Sequence, residues 1–393
     1  MSARPDSALL DQANSIYKLL VKIRRDLHQI PERGFKEEKT SRYISAFLKE
    51  HGFFFKGKIA GTGITADLEV NKSFPTIALR ADIDALPIEE QSEVPFRSRH
   101  EGRMHACGHD MHTACLLGAL LLLKEHMPGL RVNVRAIFQP AEELIPGGAK
   151  ALIEQGVLAE PDIRAIFGLH VDPFFPTGTI SLKTGPMMAS TSAFTITVKG
   201  RGGHAAAPYK TIDPIPITAQ IISSLQTIIS RMTNPFEPGV ISITQMQAGT
   251  AYNIIPEKAV ISGTARALDP DTAALIPEKM EQVINGIVKS YGADAEFVYT
   301  PGTSVLVNDE EMTGHVKKTG FSILGESCVL DYAGTFGGED FADYLQVVPG
   351  CFFRLGCRNE KEEQNPLHNP SFNPDERALI YGAAMMAGIA VYF

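Results

Sequence analysis

The chain has 393 residues, of which 44% are hydrophobic and 21% charged, with a formal net charge of −8. That length exceeds one ordinary hydrophobic core, so two domains are expected, and the acidic balance argues against nucleic-acid binding as the main role, because phosphate neutralisation needs a basic stripe. The five cysteines, Cys107, Cys115, Cys328, Cys351 and Cys357, are odd in number and irregularly spaced, which argues against a disulfide framework and for reduced thiols in the cytoplasm.

The opening residues MSARPDSALLDQ lack the apolar segment of a secretory signal. Leu9, Leu10, Ala13, Ile16, Leu20, Ile23 and Leu27 recur near helical spacing and predict an amphipathic helix over 7–27. A second helix is expected over 39–51, stopped by Gly52. Ile64 to Val70 reads as a strand, and Gly61-Thr-Gly-Ile-Thr-Ala66 only mimics a dinucleotide fingerprint, since it leads into a strand and not a helix. Thr76 to Arg80 reads as a short buried strand breaking into Asp82-Ile-Asp84-Ala-Leu-Pro87. The cluster His105-Ala-Cys-Gly-His-Asp-Met-His112 leads into an apolar helix over 113–126, whose run Ala114 to Leu123 is too short to cross a bilayer. Strands follow at Val132 to Phe138, ending at Gln139-Pro140-Ala-Glu142-Glu143, and at Ala165 to Leu169, ending at His170. Strands alternating with helices imply an α/β fold with a mostly parallel central sheet flanked by helices.

From 188 to 300 the pattern changes to β-α-β-β-α-β, with strands at Phe194 to Lys199, Val240 to Gln247, Ala259 to Ala267 and Ala295 to Thr300 and helices at Ile212 to Met232 and Asp271 to Tyr291. That order matches the ferredoxin-like α+β plan. Residues 188–300 are therefore expected as a small domain inserted into a larger one made of 1–187 and 301–393.

Polar residues gather where strands end, the edge at which open α/β sheets bind ligands. Cys107, His109, Glu143, His170 and His368 offer thiolate, imidazole and carboxylate donors, and five such donors favour two cations over one. Two cations roughly 3.5–4 Å apart can share a hydroxide and polarise a carbonyl. Glu142, beside a donor, is the natural general base, and both glutamates can serve one site only if Pro140 turns the chain. Each residue alone has an ordinary reading: Glu142 and Glu143 as a solvated pair, His170 as a core histidine, Cys107 as a core thiol. Their joint occurrence lowers those readings. The helix opening after Cys107 is expected to favour its thiolate. His105 and His112 are expected to hydrogen-bond locally or to pack around the donors, Asp110 to be structural or to lie around them, Cys115 to lie in the core, and Glu339-Asp340 to cap a helix.

The segments ADIDALP at 81–87, HACGHDMHT at 105–113, QPAEE at 139–143, GLHV at 168–171, GRGGHAAAP at 200–208, AYNIIP at 251–256, GTAR at 263–266, GGEDF at 337–341 and LHNPSF at 367–372 together resemble one family. It is the amidohydrolase branch of the aminoacylase and carboxypeptidase metallohydrolases. That branch holds N-acyl-amino-acid deacylases, N-acetyl-diaminopimelate deacetylases, hippurate hydrolases and plant auxin-conjugate hydrolases. The resemblance runs from near residue 20 almost to the C-terminus. It implies two divalent metal ions per subunit, zinc or manganese with cobalt or nickel also admitted, and an inserted lid that also makes a homodimer or a higher homo-oligomer. By motif it implies Cys107, His109, Glu143, His170 and His368 as ligands, Glu142 as base and Asp84 as an aspartate tuning the metals. Asp82 stands where related branches place a ligating histidine and is left out of the ligand set. His204 would stabilise the oxyanion in the partner subunit's site, and Asn253 and Arg266 would contact substrate, the arginine through its carboxylate.

The expected function is hydrolysis of an N-acyl amino acid or short peptide, with no nucleic-acid or membrane partner. A dipeptidase or carboxypeptidase using the same site is the first rival. The others are a thiol hydrolase with Cys107 as nucleophile and a non-catalytic metal-binding protein, against which Glu142 argues.

Overall fold

A computed structural model describes residues 7–359 and 365–393. The first residues of the supposed leaderless N-terminus thus lie outside the described part. The chain divides into two compact units: the segments up to Gly185, Val307–Ala333 and Asp340–Phe393 form one, and Pro186–Leu306 with Gly334–Glu339 forms the other. The second unit thus takes in residues 334–339, which the sequence division left in the first. The Ala189 amide explains why, since it lies 3.1 Å from the carbonyls of both Thr335 and Gly337.

The first unit is built on an eight-stranded mixed sheet. Its strand order is Phe54–Ile59, Gly63–Leu68, Asn133–Gln139, Thr76–Asp82, Ile163–Pro176, Gly350–Arg358, Ile180–Leu182 and Val329–Asp331. The four central strands, from Asn133–Gln139 to Gly350–Arg358, are mutually parallel. They are buried on both faces, which explains their continuous apolar sequences. The strand Phe54–Ile59 escapes sequence reading because it is a mostly exposed edge with little apolar pattern. The predicted opening helix is two, Ser7–Ser15 and Tyr17–His28, broken where Ser15 Oγ bonds back to the Gln12 carbonyl.

The helices His109–His126 and Ala378–Val391 are apolar almost all round and pack on each other inside the core. Their closeness depends on Gly382, where an added Cβ would press on Cys115 Sγ and lie 2.8 Å from Leu355. Among the described residues no helix is long and apolar enough to cross a membrane.

The second unit carries a four-stranded antiparallel sheet in the order Gly239–Ala248, Lys258–Ala267, Ser190–Lys199, Asp294–Pro301. Helices Pro214–Thr227 and Pro270–Ser290 cover it, their starts capped by Asp213 and Asp269. Phe194, Ile196, Val198, Ile217, Ile221 and Ile284 are among the residues of its own core.

Gly382→Val is expected to overpack the helix crossing and destabilise the first unit by about 1–3 kcal/mol. A lowered thermal midpoint with near-native circular dichroism is the expected result; an unchanged midpoint contradicts the close packing.

Candidate metal centre

The candidate donors come from four stretches of the first unit. Cys107 precedes Gly108, whose φ of 83° turns the chain into the helix that His109 begins. Glu142 and Glu143 follow the strand that ends at Gln139, beyond a turn in which Ala141 has φ 55°. His170 lies inside a strand running on to Pro176, not at a strand end as the sequence suggested. It clears its neighbour because pairing with the Thr76–Asp82 strand stops at Gly168. His368 has φ 66°, and its amide is fixed by the Ala106 carbonyl at 2.8 Å. Left-handed backbone at two non-glycine residues costs on the order of 1–3 kcal/mol each and tends to concentrate at functional sites.

These stretches bring the donors together. Cys107 Sγ lies 3.3 Å from His170 Nε2 and 3.3 Å from His368 Nε2. His368 Nε2 lies 3.3 Å from Glu143 Oε1. Three trios each gather their ligand atoms within 4.8 Å: Cys107, His109 and His170; Cys107, Glu143 and His368; and His109, Glu142 and Glu143. They share Cys107, His109 and Glu143, so all five expected donors and Glu142 fall in one place.

Asp84 ties the trios to the fold. One carboxylate oxygen lies 3.1 Å from His109 Nδ1 and the other accepts the Glu143 amide at 3.1 Å. His109 Nε2 is left buried without a hydrogen-bond partner, and Glu143 Oε1 is buried in charge contact with His368. Burial disfavours a charged His109, yet Asp82, Asp84 and Glu143 outweigh it and push its pKa up to about 10. Carboxylates that draw a proton onto that ring would draw a cation in its place, and the nitrogen, oxygen and sulfur donors fit such an ion. His170 is oriented for the same task. Its Nδ1 donates to the Val171 carbonyl at 2.7 Å, and burial holds the ring neutral with Nε2 toward Cys107.

Cys107 departs from expectation. Burial, with Glu143, Glu142 and Asp82 around it, raises its thiol pKa well above the ordinary value, so the helix start does not secure a thiolate. Ionisation there needs a cation, and an unaided thiolate nucleophile is disfavoured.

Around the donors lies a layer the sequence showed only in part. Asp82 accepts from His112 Nδ1 at 2.6 Å and from Arg80 at 2.7 Å, while His112 Nε2 accepts the Val171 amide at 2.9 Å. Both ring nitrogens of His112 are thereby used. Arg80 also donates to Gln139 and Asp340, each at 2.9 Å. Asp340 receives the Ala149 amide at 3.0 Å as well, and its side chain does not cap its own helix Phe341–Leu345, the cap that the local sequence suggested. Asp110 is gripped by Arg24 at 2.9 Å and His28 at 2.7 Å. His105 is buried and held neutral, its pKa pushed down to about 3 by burial. The only sequence signal for this layer is charged residues inside strands and helices that otherwise read as core.

The remaining expected residues belong to the second unit. His204 and Asn253 share a small ribbon: His204 pairs with Ile254, and the Ala205 amide bonds the Asn253 carbonyl at 3.1 Å. Arg266 stands on the sheet strand Lys258–Ala267 and donates to the Phe336 carbonyl at 2.7 Å.

A family model described as peptidase family M20/M25/M40 matches residues 78–391. N-acetylcysteine deacetylase of Bacillus subtilis (strain 168) is 41% identical over 373 residues, covering 95% of this chain and 96% of its own. Thermostable carboxypeptidase 2 of Saccharolobus solfataricus is 40% identical over 389 residues, covering 98% of each. A crystal structure of a Bacillus subtilis protein, described as a dinuclear metal binding peptidase from the M20 family, superposes with a TM-score of 0.85 at 39% identity, covering 96% of this chain and 98% of that one.

In chelator-treated protein at neutral pH, Cys107 is expected to be alkylated no faster than the buried Cys351, whose thiol burial pushes up to about 12. Peptide mapping after iodoacetamide reads this; fast selective labelling of Cys107 contradicts the raised thiol.

Proposed function

The chain belongs to peptidase family M20/M25/M40, and on that premise we propose that it is a metal-dependent amidohydrolase cleaving the amide bond of N-acyl amino acids, N-acetyl compounds among them. The observation that carries the reading is the meeting of three donor trios beside Glu142. Cys107, His109, Glu143, His170 and His368 would hold two divalent cations, with Asp84 orienting His109 and the Glu143 amide. Zinc suits the sulfur donor, manganese the carboxylates and imidazoles, and cobalt or nickel is admitted by the same set. Bound there, such ions supply the Lewis acidity that polarises an amide carbonyl and acidifies a water.

The chain's own residues do the rest. Glu142 takes the proton of the attacking water and delivers it to the leaving nitrogen. His204 accepts the Ala206 amide on Nδ1 at 3.1 Å, which puts its proton on Nε2, the donor needed for an oxyanion. We assign that donation to a second copy of the chain in a homodimer. One such donor is typically worth about 3 kcal/mol. Asn253 contacts substrate, and Arg266, with one of its five N–H donors engaged by Phe336, retains others for a substrate carboxylate. Residues 188–300 serve as the lid and dimerisation domain. Five unpaired cysteines support a cytoplasmic home.

A dipeptidase or carboxypeptidase using the same centre is the second reading, favoured by the carboxypeptidase relative. Metal-reconstituted protein assayed on N-acetyl amino acids, N-benzoyl amino acids and dipeptides separates the two. Hydrolysis of the N-acyl compounds is expected, and activity on dipeptides alone overturns the first reading.

Glu142→Gln is expected to keep its metal content and lose about 10²–10⁴-fold in kcat; full activity at unchanged metal content removes the assigned base. Mixing His204→Ala with Glu142→Gln subunits is expected to restore activity through sites that pair an intact base with an intact histidine. No recovery in verified heterodimers removes the second-copy role.

A further inference from the structure

Glu37 precedes the helix Glu38–Glu50, at the position whose side chain ordinarily caps a helix start, and it does not cap. Glu32 does that work, accepting the amides of Lys39 at 2.7 Å and Thr40 at 3.0 Å. The Glu37 side chain is fully buried and turned elsewhere. One oxygen accepts the Phe35 amide at 3.0 Å and the Ala141 amide at 2.9 Å, and the other accepts the Thr62 hydroxyl at 2.6 Å.

Ala141 is the left-handed residue immediately before Glu142 and Glu143. Without a stabilising partner an alanine would leave that conformation. The surroundings are shaped to the same turn. At Gly34 an added Cβ would lie 2.9 Å from both Cα and Cβ of Ala141, and the Ala141 carbonyl accepts the Gly148 amide at 2.9 Å. The same segment also ties down the Asp84 loop, since the Glu32 carbonyl accepts the Ala85 amide at 2.8 Å.

We propose that Glu37 is a positioning residue for the hydrolytic reaction: it holds Ala141 in its left-handed turn and so sets Glu142 and Glu143 at the donor cluster. The proposal rests on the reading of Glu142 as general base. What the position requires is an acceptor of the right reach, not a charge. Burial pushes the Glu37 carboxyl up to about 7 despite its three donors, with the charge of Asp84 adding to the rise. A glutamine reaches Ala141 with its carbonyl oxygen and Thr62 with its amide. An aspartate keeps the charge but falls one methylene short.

The test compares Glu37→Gln, Glu37→Asp and Glu37→Asp with Ala141→Gly in full-length, metal-reconstituted protein. Hydrogen exchange is read on the peptide spanning 139–149. Glu37→Gln is expected to keep exchange protection and kcat close to those of the parent chain. Glu37→Asp is expected to lose protection in that peptide and to lose about 10- to 100-fold in kcat, the scale of a small misplacement of a catalytic group, with KM changed by less than about threefold. Ala141→Gly is expected to recover most of the lost kcat, because glycine adopts positive φ without a brace.

Parent-like kcat and protection in Glu37→Asp overturn the proposal, as does a loss in Glu37→Gln equal to that in Glu37→Asp. Loss of kcat without loss of protection, or failure of Ala141→Gly to restore activity, also overturns it. If Glu37→Asp does not fold, Thr62→Val replaces it, with the same exchange signature and a severalfold fall in kcat expected; parent-like behaviour overturns the proposal. Full activity in Glu142→Gln would remove the base assignment, while the exchange data still decide whether Glu37 braces the turn.

Discussion

Carboxylates buried side by side repel one another and forfeit hydration, so they stay ionised only where positive charge and N–H groups are supplied. Asp82 and Asp84 are wholly buried at the end of one central strand, and Glu143 joins them across the next connection. Burial alone would neutralise Asp82, and His109, His112 and Arg80 together outweigh it and hold its carboxyl well below the usual carboxylate range. Asp84 and Glu143 face His109, His368 and a backbone amide. Carboxylates gathered among nitrogen and sulfur donors make the pocket a place for metal.

Precision there is supplied from a distance. Asp110, in the first turn of the His109–His126 helix, is fixed by Arg24 and His28 from the second helix of the chain. Asp340 ties the two ends of the 139–149 connection together through Gln139 and Ala149. Glu37 fixes Ala141 within it. Each brace is a buried carboxylate outside the expected donor set, and together they hold the elements that carry Cys107, His109, Glu142 and Glu143. Rigid support of this kind matters because hydrolysis depends on sub-ångström placement of base and donors.

Much of this was legible in the sequence. The central strands, the apolar helix after His109 and the β-α-β-β-α-β plan all follow from periodicity, and the donors stand out because cysteine, histidine and paired glutamates occur beside strand ends. The braces were not legible. Ala141 lies 104 residues from Glu37 and Asp110 lies 82 from His28, and no local pattern reports pairings of that separation. Asp340 read as a cap because an acidic residue after two glycines has that local chemistry, whereas the tertiary pull of Arg80 and Gln139 wins. Cys107 read as a thiolate for the same reason, and burial among carboxylates overrode the helix start.

The sheet order has a consequence for biosynthesis. The strand Ile163–Pro176 occupies the middle of the eight-stranded sheet, but its neighbour on one side is Gly350–Arg358. At ribosomal speeds of about 5–20 residues per second, on the order of 10–35 s separate the emergence of the two. For that interval the nascent chain presents an apolar strand edge beside His170 while the whole inserted segment is still being translated. His368 leaves the ribosome later still, so the donor set stays incomplete until that stretch has emerged.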